Sequence, residues 1–134
     1  GDAVNLGSRL EGLSKVYGVS IVASESTKVL ATDFVWQELD LVRVKGKQRA
    51  IAIFSPVAKK GQLSIAQASE LALWHSFLAA YRAQNRTQCD VLMAQLLQLD
   101  EKKPLYTLYA QRIAVTRDQP IDPAWDGATN FESK

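Results

Sequence analysis

The feature that most constrains the fold is a change of hydrophobic period partway along the chain. Up to about residue 57 the apolar residues alternate or run in short β-branched blocks. Beyond Ala58-Lys59-Lys60-Gly61-Gln62, a polar stretch containing glycine, they recur every three or four residues. Period two belongs to strands with one face inward, and a period near 3.6 belongs to helices with one apolar stripe. A chain that switches between them folds as two differently built regions. The pattern predicts an α+β region over residues 1–57, a linker over 58–63, and a helical region with an irregular end over 64–134.

The first region opens with an amphipathic helix, from about Ala3 to Val16, whose stripe is Leu6, Leu10 and Leu13. Asp2 suits its cap and Gly18 its stop. Gly7 inside it costs about 1 kcal/mol of helix propensity relative to alanine. Val19 to Ser24 reads as a short buried strand, with Val19, Ile21 and Val22 β-branched. Glu25 to Ala31 follows as a short helix capped by Ser24. Phe34 to Leu41 alternates, with Phe34, Trp36 and Glu38 on one face and Val35, Gln37 and Leu39 on the other. Lys45-Gly46-Lys47-Gln48 breaks that run as a turn, and Ala50 to Val57 returns as the second strand of a hairpin.

The second region carries three stripes: Leu71, Trp74, Leu78, Tyr81; then Cys89, Leu92, Met93, Leu96, Leu99; then Leu105, Leu108, Tyr109, Arg112, Ile113. They predict helices near Ser64–Gln84, Thr87–Leu99 and Pro104–Arg117. The connections are short, so consecutive helices pack antiparallel. Asp118 to Gly127 is too rich in Pro and Asp for regular structure, and Trp125 is expected to anchor it. Trp74, Phe77 and Tyr81 also sit at the aromatic spacing of a tetratricopeptide-type helix pair. Asp90 and Ala94 do not match that repeat, and no second copy follows.

Several function classes lose support on composition. A net charge of +2 is too small to mark a dominant nucleic-acid or membrane surface. No run approaches the ~18 apolar residues that span a bilayer, so no direct membrane contact is expected of this chain. The single cysteine, Cys89, has no partner for an internal disulfide, as suits a reducing cytoplasm. It lies on an apolar stripe and reads as a buried thiol rather than a nucleophile. His75 has no neighbouring ligand set and reads as structural or surface. No zinc spacing, phosphate-binding glycine loop or dinucleotide fingerprint is present.

Asn5 and Arg9 stand four residues apart, so a helix puts them on one face. An amide beside a forked, permanent cation suits an anionic, oxygen-rich ligand such as a nucleotide triphosphate, though the same spacing also describes a surface arginine with a nearby asparagine. The surrounding sequence adds to this. Gly1-Asp2-Ala3-Val4-Asn5-Leu6-Gly7-Ser8-Arg9-Leu10-Glu11 resembles the G-D-x-V-N-x-A-x-R-L-E segment of the class III adenylate/guanylate cyclases. Val42-Arg43-Val44-Lys45-Gly46-Lys47 resembles that family's V-K-G-K loop. Tyr17 to Ser24 resembles its helix-to-strand passage. The end, Pro120-Ile121-Asp122-Pro123-Ala124-Trp125-Asp126-Gly127, resembles the C-terminal extension of bacterial cyclases with an extracytoplasmic sensor and membrane helices.

The resemblance implies the C-terminal half of a ferredoxin-like cyclase domain followed by a three-helix tail. It implies conversion of ATP to cyclic AMP and pyrophosphate in signal transduction, at sites formed between two domains of a homodimer. It places the ribose-orienting and transition-state roles on Asn5 and Arg9, and triphosphate binding on Lys45; Lys47 is read as a solvated turn residue. The family's Mg²⁺ or Mn²⁺ ions are held by aspartates on earlier strands, and its base-selecting residues also come earlier. Asp2 is therefore read as a cap, and no metal ligand is assigned in this chain. The chain opens inside a motif and without an initiating methionine, so it is expected to be part of a longer protein, the cytoplasmic domain of an inner-membrane cyclase, and inactive alone.

Two other readings compete. One is a non-enzymatic interaction module that docks through its helical hairpin. The other is a ferredoxin-like nucleic-acid binder using Arg43, Lys45, Lys47 and Arg49. That second alternative needs exposed aromatics on the sheet, whereas Phe34, Trp36 and Phe54 read as core.

Overall fold

Two long strands, β2 (Phe34–Arg43) and β3 (Ile51–Lys59), pair antiparallel as the hairpin that the alternation predicts. The computed structural model describes residues 10, 12–43 and 48–131. By contacts the chain divides into two units, one running to Leu63 and resuming at Ala128, the other Ser64–Gly127. The class is mixed α and β.

In the first unit the hairpin is flanked by β1 (Ala23–Ser24), antiparallel to β3, and by β4 (Thr129–Asn130), parallel to β2. The sheet order is β1-β3-β2-β4. Helix α1 is described at residues 10 and 12–17, and α2 (Glu25–Leu30) follows β1. Leu10, Leu13 and Tyr17, at spacings of three and four, are the buried face of α1. Val42 and Ile53 are fully buried on the sheet.

The expected strand Val19–Ser24 shrinks to its last two residues. Gly18 takes a left-handed φ of 69°, and the amide of Val19 turns back to the Ser14 carbonyl at 3.0 Å, so the chain there still closes off α1. Ser24 already caps α2 by accepting from the Thr27 amide. Only Ala23 and Ser24 are left to pair, and Ile21 is 56% exposed.

The simple alternation expected for β2 is also broken. Glu38 pairs with Phe54 and Asp40 with Ile53, so Leu39 is an extra residue in the ladder. Such a bulge shifts the side-chain phase by one. The inward positions are therefore Gln37 and Leu39 before it, then Asp40 and Val42 after it. A second irregularity pairs Val35 with Ala58 but Trp36 with Pro56, leaving Val57 extra on β3. Proline has no amide for the ladder, and a bulge beside it is a usual accommodation. Through that bulge β3 continues to Lys59, past the expected end at Val57 and into the expected linker.

In the second unit, α3 (Ile65–Arg82), α4 (Arg86–Leu99) and α5 (Pro104–Thr116) follow one another through short turns. Ser64 and Gln67 form a reciprocal cap at the start of α3, at 3.0 and 2.9 Å. Asn85 caps α4 after Gln84 adopts a φ of 56°, and Pro104 opens α5. The core is aromatic. Trp74 stacks on Phe77 and Tyr106 at centroid distances of 5.6 and 5.7 Å and meets Tyr109 edge-on at 5.0 Å. Tyr81 meets Tyr109 and Trp125 edge-on, so Trp125 does reach the helices. Leu99, expected on the stripe of α4, is the last helical residue and is exposed.

Candidate functional site

Asn5, Arg9, Lys45 and Lys47 lie outside the described residues. The described residues give what stands next to them in the chain: α1, described from Leu10 onward, and the strands β2 and β3, which end and begin on either side of residues 44–47.

The support on the α1 side is a buried junction. The Leu39 bulge turns Asp40 inward, where it is 0% exposed. Its Oδ2 accepts from the Tyr17 hydroxyl at 2.5 Å and from Thr129 Oγ1 at 2.8 Å. Its Oδ1 accepts from the Leu41 amide at 2.8 Å. A carboxylate out of water is costly unless its lone pairs are met by donors, and short hydroxyl donors to a carboxylate are among the stronger bonds a protein makes. Three segments distant in sequence, α1, β2 and β4, thus share one carboxylate.

The support on the hairpin side is a closed base. Arg43 Nε donates to the Gln48 carbonyl at 2.7 Å, linking the end of β2 to the chain that leads into β3. Its Nη1 donates to Asn130 Oδ1 at 2.6 Å, and the Phe131 amide donates to the Arg43 carbonyl at 2.8 Å. The C-terminal segment therefore holds Arg43, the last residue of β2.

The second unit holds a cleft of about 250 Å³ walled by Tyr81, Cys89, Pro120 and Trp125. The polar groups around it are engaged with backbone. Gln84 Nε2 donates to the Asp122 carbonyl and its Oε1 accepts from the Asp122 amide, at 2.6 and 3.1 Å. Arg86 Nη1 donates to the Gln119 carbonyl at 2.5 Å. Burial, then the neighbouring Asp90 charge, pushes the Cys89 thiol up to about 11. It is protonated at neutral pH and is a poor nucleophile, in line with a buried structural thiol. Among the described residues no group of three or more His, Cys, Asp or Glu stands where it could hold a metal ion. No described helix is long and apolar enough to cross a membrane.

Asp40 and Thr129 were not singled out by sequence reasoning. Asp40 had a signal: it is an acidic residue inside Leu39-Asp40-Leu41-Val42, a run otherwise suited to a buried strand. Thr129 and Asn130 had none, because two residues after a Pro- and Asp-rich stretch carry no readable period.

No family model matches the chain, and no solved structure matches it. It is 40% identical over 58 residues to "Adenylate cyclase 1" of Rhizobium meliloti (strain 1021), an alignment covering 42% of this chain and 9% of that protein. It is 45% identical over 58 residues to "Adenylate cyclase" of Anabaena cylindrica, covering 40% of this chain and 12% of that protein. The chain thus spans about a tenth of the length of these curated relatives, and over part of its own length it is related to proteins of that name.

Proposed function

We propose that the chain is the C-terminal part of a class III adenylate cyclase catalytic domain, of ferredoxin-like architecture, followed by a three-helix extension. What carries the reading is the ordered pair of motifs, Gly1 to Glu11 and Val42 to Lys47, in a chain related to adenylate cyclases. In this reading the ribose 3′-oxygen of ATP attacks the α-phosphorus in line. The new P–O bond forms as the bond to pyrophosphate breaks, and the hydroxyl proton is released. Asn5 holds the ribose by its amide. Arg9 directs its guanidinium at the charge that grows on the phosphoryl oxygens. Lys45 binds the triphosphate tail as a point charge.

Among the described residues no cluster stands that could hold a metal ion. The Mg²⁺ or Mn²⁺ of the reaction is proposed to bind residues outside this chain, contributed across a homodimer. The parent is proposed to be a bacterial inner-membrane protein with this region in the cytoplasm.

Three measurements test the reading. The isolated chain, given ATP and Mn²⁺ or Mg²⁺, is expected to make no cyclic AMP. In the full-length protein, Arg9→Ala is expected to lower kcat by roughly 10²–10³, the scale for losing one transition-state donor, with a much smaller change in KM. Mixing the Arg9→Ala protein with a partner mutated at its metal-binding aspartates should restore part of the activity, because one intact site forms across the heterodimer. No recovery while the dimers exchange subunits would show that Arg9 does not act across the interface.

A further inference from the structure

We propose that Asp40 is a positioning residue for the cyclase half-site, and that the C-terminal strand β4 is a working part of that half-site through it. The inference rests on the function proposed above. Its geometry comes from described residues alone. Arg9 is the residue before Leu10, the first described residue of α1, and α1 is tied to the sheet by the Tyr17 hydroxyl on Asp40 Oδ2 at 2.5 Å. Lys45 is two residues after Arg43, and Arg43 is held by Asn130 and Phe131 of the C-terminal segment. That segment is itself fastened to Asp40 by Thr129 at 2.8 Å. One buried carboxylate oxygen thus receives a donor from α1, described from the residue after Arg9, and a donor from the strand whose next residues hold Arg43, two residues before Lys45.

The two halves of the junction serve different parts of the reaction. The Tyr17 arm bears on the groups that orient ribose and meet developing charge, so loosening it lowers kcat. The Thr129 arm bears on the group that binds the triphosphate in ground state and transition state alike, so loosening it raises KM. The helical unit Ser64–Gly127 is inserted between β3 and β4 in the chain, so β4 arrives only after that unit has been traversed.

The test uses the full-length protein, with kcat and KM for ATP measured on each variant and referred to its folded fraction by thermal melting. Tyr17→Phe should lower kcat at least about threefold with KM nearly unchanged, and Thr129→Val should raise KM at least about threefold with kcat nearly unchanged. Thr129→Ser, which keeps the hydroxyl, should return KM to the unaltered value. Asp40→Ala, which removes the oxygen that accepts from both Tyr17 and Thr129, should show both defects. In the present chain, Thr129→Val should speed hydrogen exchange at the Phe131 amide. Unchanged kcat and KM in Tyr17→Phe and Thr129→Val would overturn the inference. So would a Thr129→Ser protein as defective as Thr129→Val, or unchanged Phe131 exchange. Absence of cyclic AMP from the unaltered full-length protein would remove the proposed function itself and this inference with it; activity there with silent variants removes the inference alone.

Discussion

The two units place their polar chemistry in opposite ways. The sheet unit buries a carboxylate, Asp40, and surrounds it with donors from three segments. The helical unit buries rings and leaves its acidic groups at or near the surface: Asp90 is exposed against Arg117, and Glu70 is half-buried where it receives the Tyr106 hydroxyl. Burying rings removes apolar area from water and tolerates small shifts. Burying a carboxylate gains little net stability, but it works only when each donor is in place, so it fixes where the segments lie. The helical unit is built for stability, and the sheet unit for the placement of particular residues.

The sharpest break of that contrast is Trp74→Ala. Trp74 is fully buried and touches three other rings, so its removal should cost about 3–5 kcal/mol, read as a lowered midpoint in urea unfolding. Tyr17→Phe, which keeps the ring and removes one hydroxyl donor to a buried carboxylate, should cost less, about 1.5–3 kcal/mol. Equal losses from the two would mean that the Asp40 junction holds the sheet unit together as the aromatic cluster holds the helices. An unchanged midpoint for Trp74→Ala would remove Trp74 from the core and favour the helical hairpin as a docking surface.

Much of this contrast was legible in the sequence, because periodicity reports elements that repeat. The three helices begin and end within a few residues of their stripes, and the two alternating runs pair as β2 and β3. Single extra residues are not periodic. The bulge at Leu39 reverses which side chains face inward, so Asp40 could not be placed by counting alternate residues. Tyr106 was missed for a related reason: it lies one residue past Leu105, and both are buried because α5 is covered on a wide face. Strand β4 is two residues long and depends on pairing with β2, 87 residues earlier, a contact without local signature. For the proposed site, Asn5, Arg9 and Lys45 rest on the motif resemblance alone, and they lie outside the described residues.

A smaller effect separates the units by pH. The Cys89 thiol has an ordinary value of 9.0 and is raised to about 11 in the fold, by burial and then by Asp90. The folded state therefore prefers the protonated thiol. Its contribution is fully present below pH 9 and is lost as pH climbs from 9 toward 11, because the unfolded chain ionises first. Between about pH 8 and about pH 10 the helical unit should lose roughly 1 kcal/mol through this group. Tyr106 is raised in the same direction, by burial and then by its hydrogen bond to Glu70, and adds to the loss only above its own ordinary value of 10.0. Urea midpoints at the two pH values, compared with those of Cys89→Ala, isolate the thiol. An equal drop in Cys89→Ala would assign the pH dependence to other groups.

The smallest effect belongs to the ion pair that most resembles the Asp40 junction on paper. Arg117 donates from both terminal nitrogens to the two oxygens of Asp90, at 2.8 and 3.1 Å, a bidentate geometry. The side chains are 54% and 45% exposed, however. Water already solvates both charges in the unfolded chain, and at physiological salt the field is screened within about 8 Å. The bond to Asp90 raises the Arg117 guanidinium above its ordinary range, which changes nothing at neutral pH because the group is charged in either state. Arg117→Gln should therefore leave the thermal midpoint unchanged within error, in dilute buffer and in about 0.5 M salt alike. A fall as large as that of Tyr17→Phe, and one that vanished in salt, would show that a carboxylate at the surface of the helical unit does what Asp40 does inside the sheet unit. The division between the two units would then rest on their apolar cores alone.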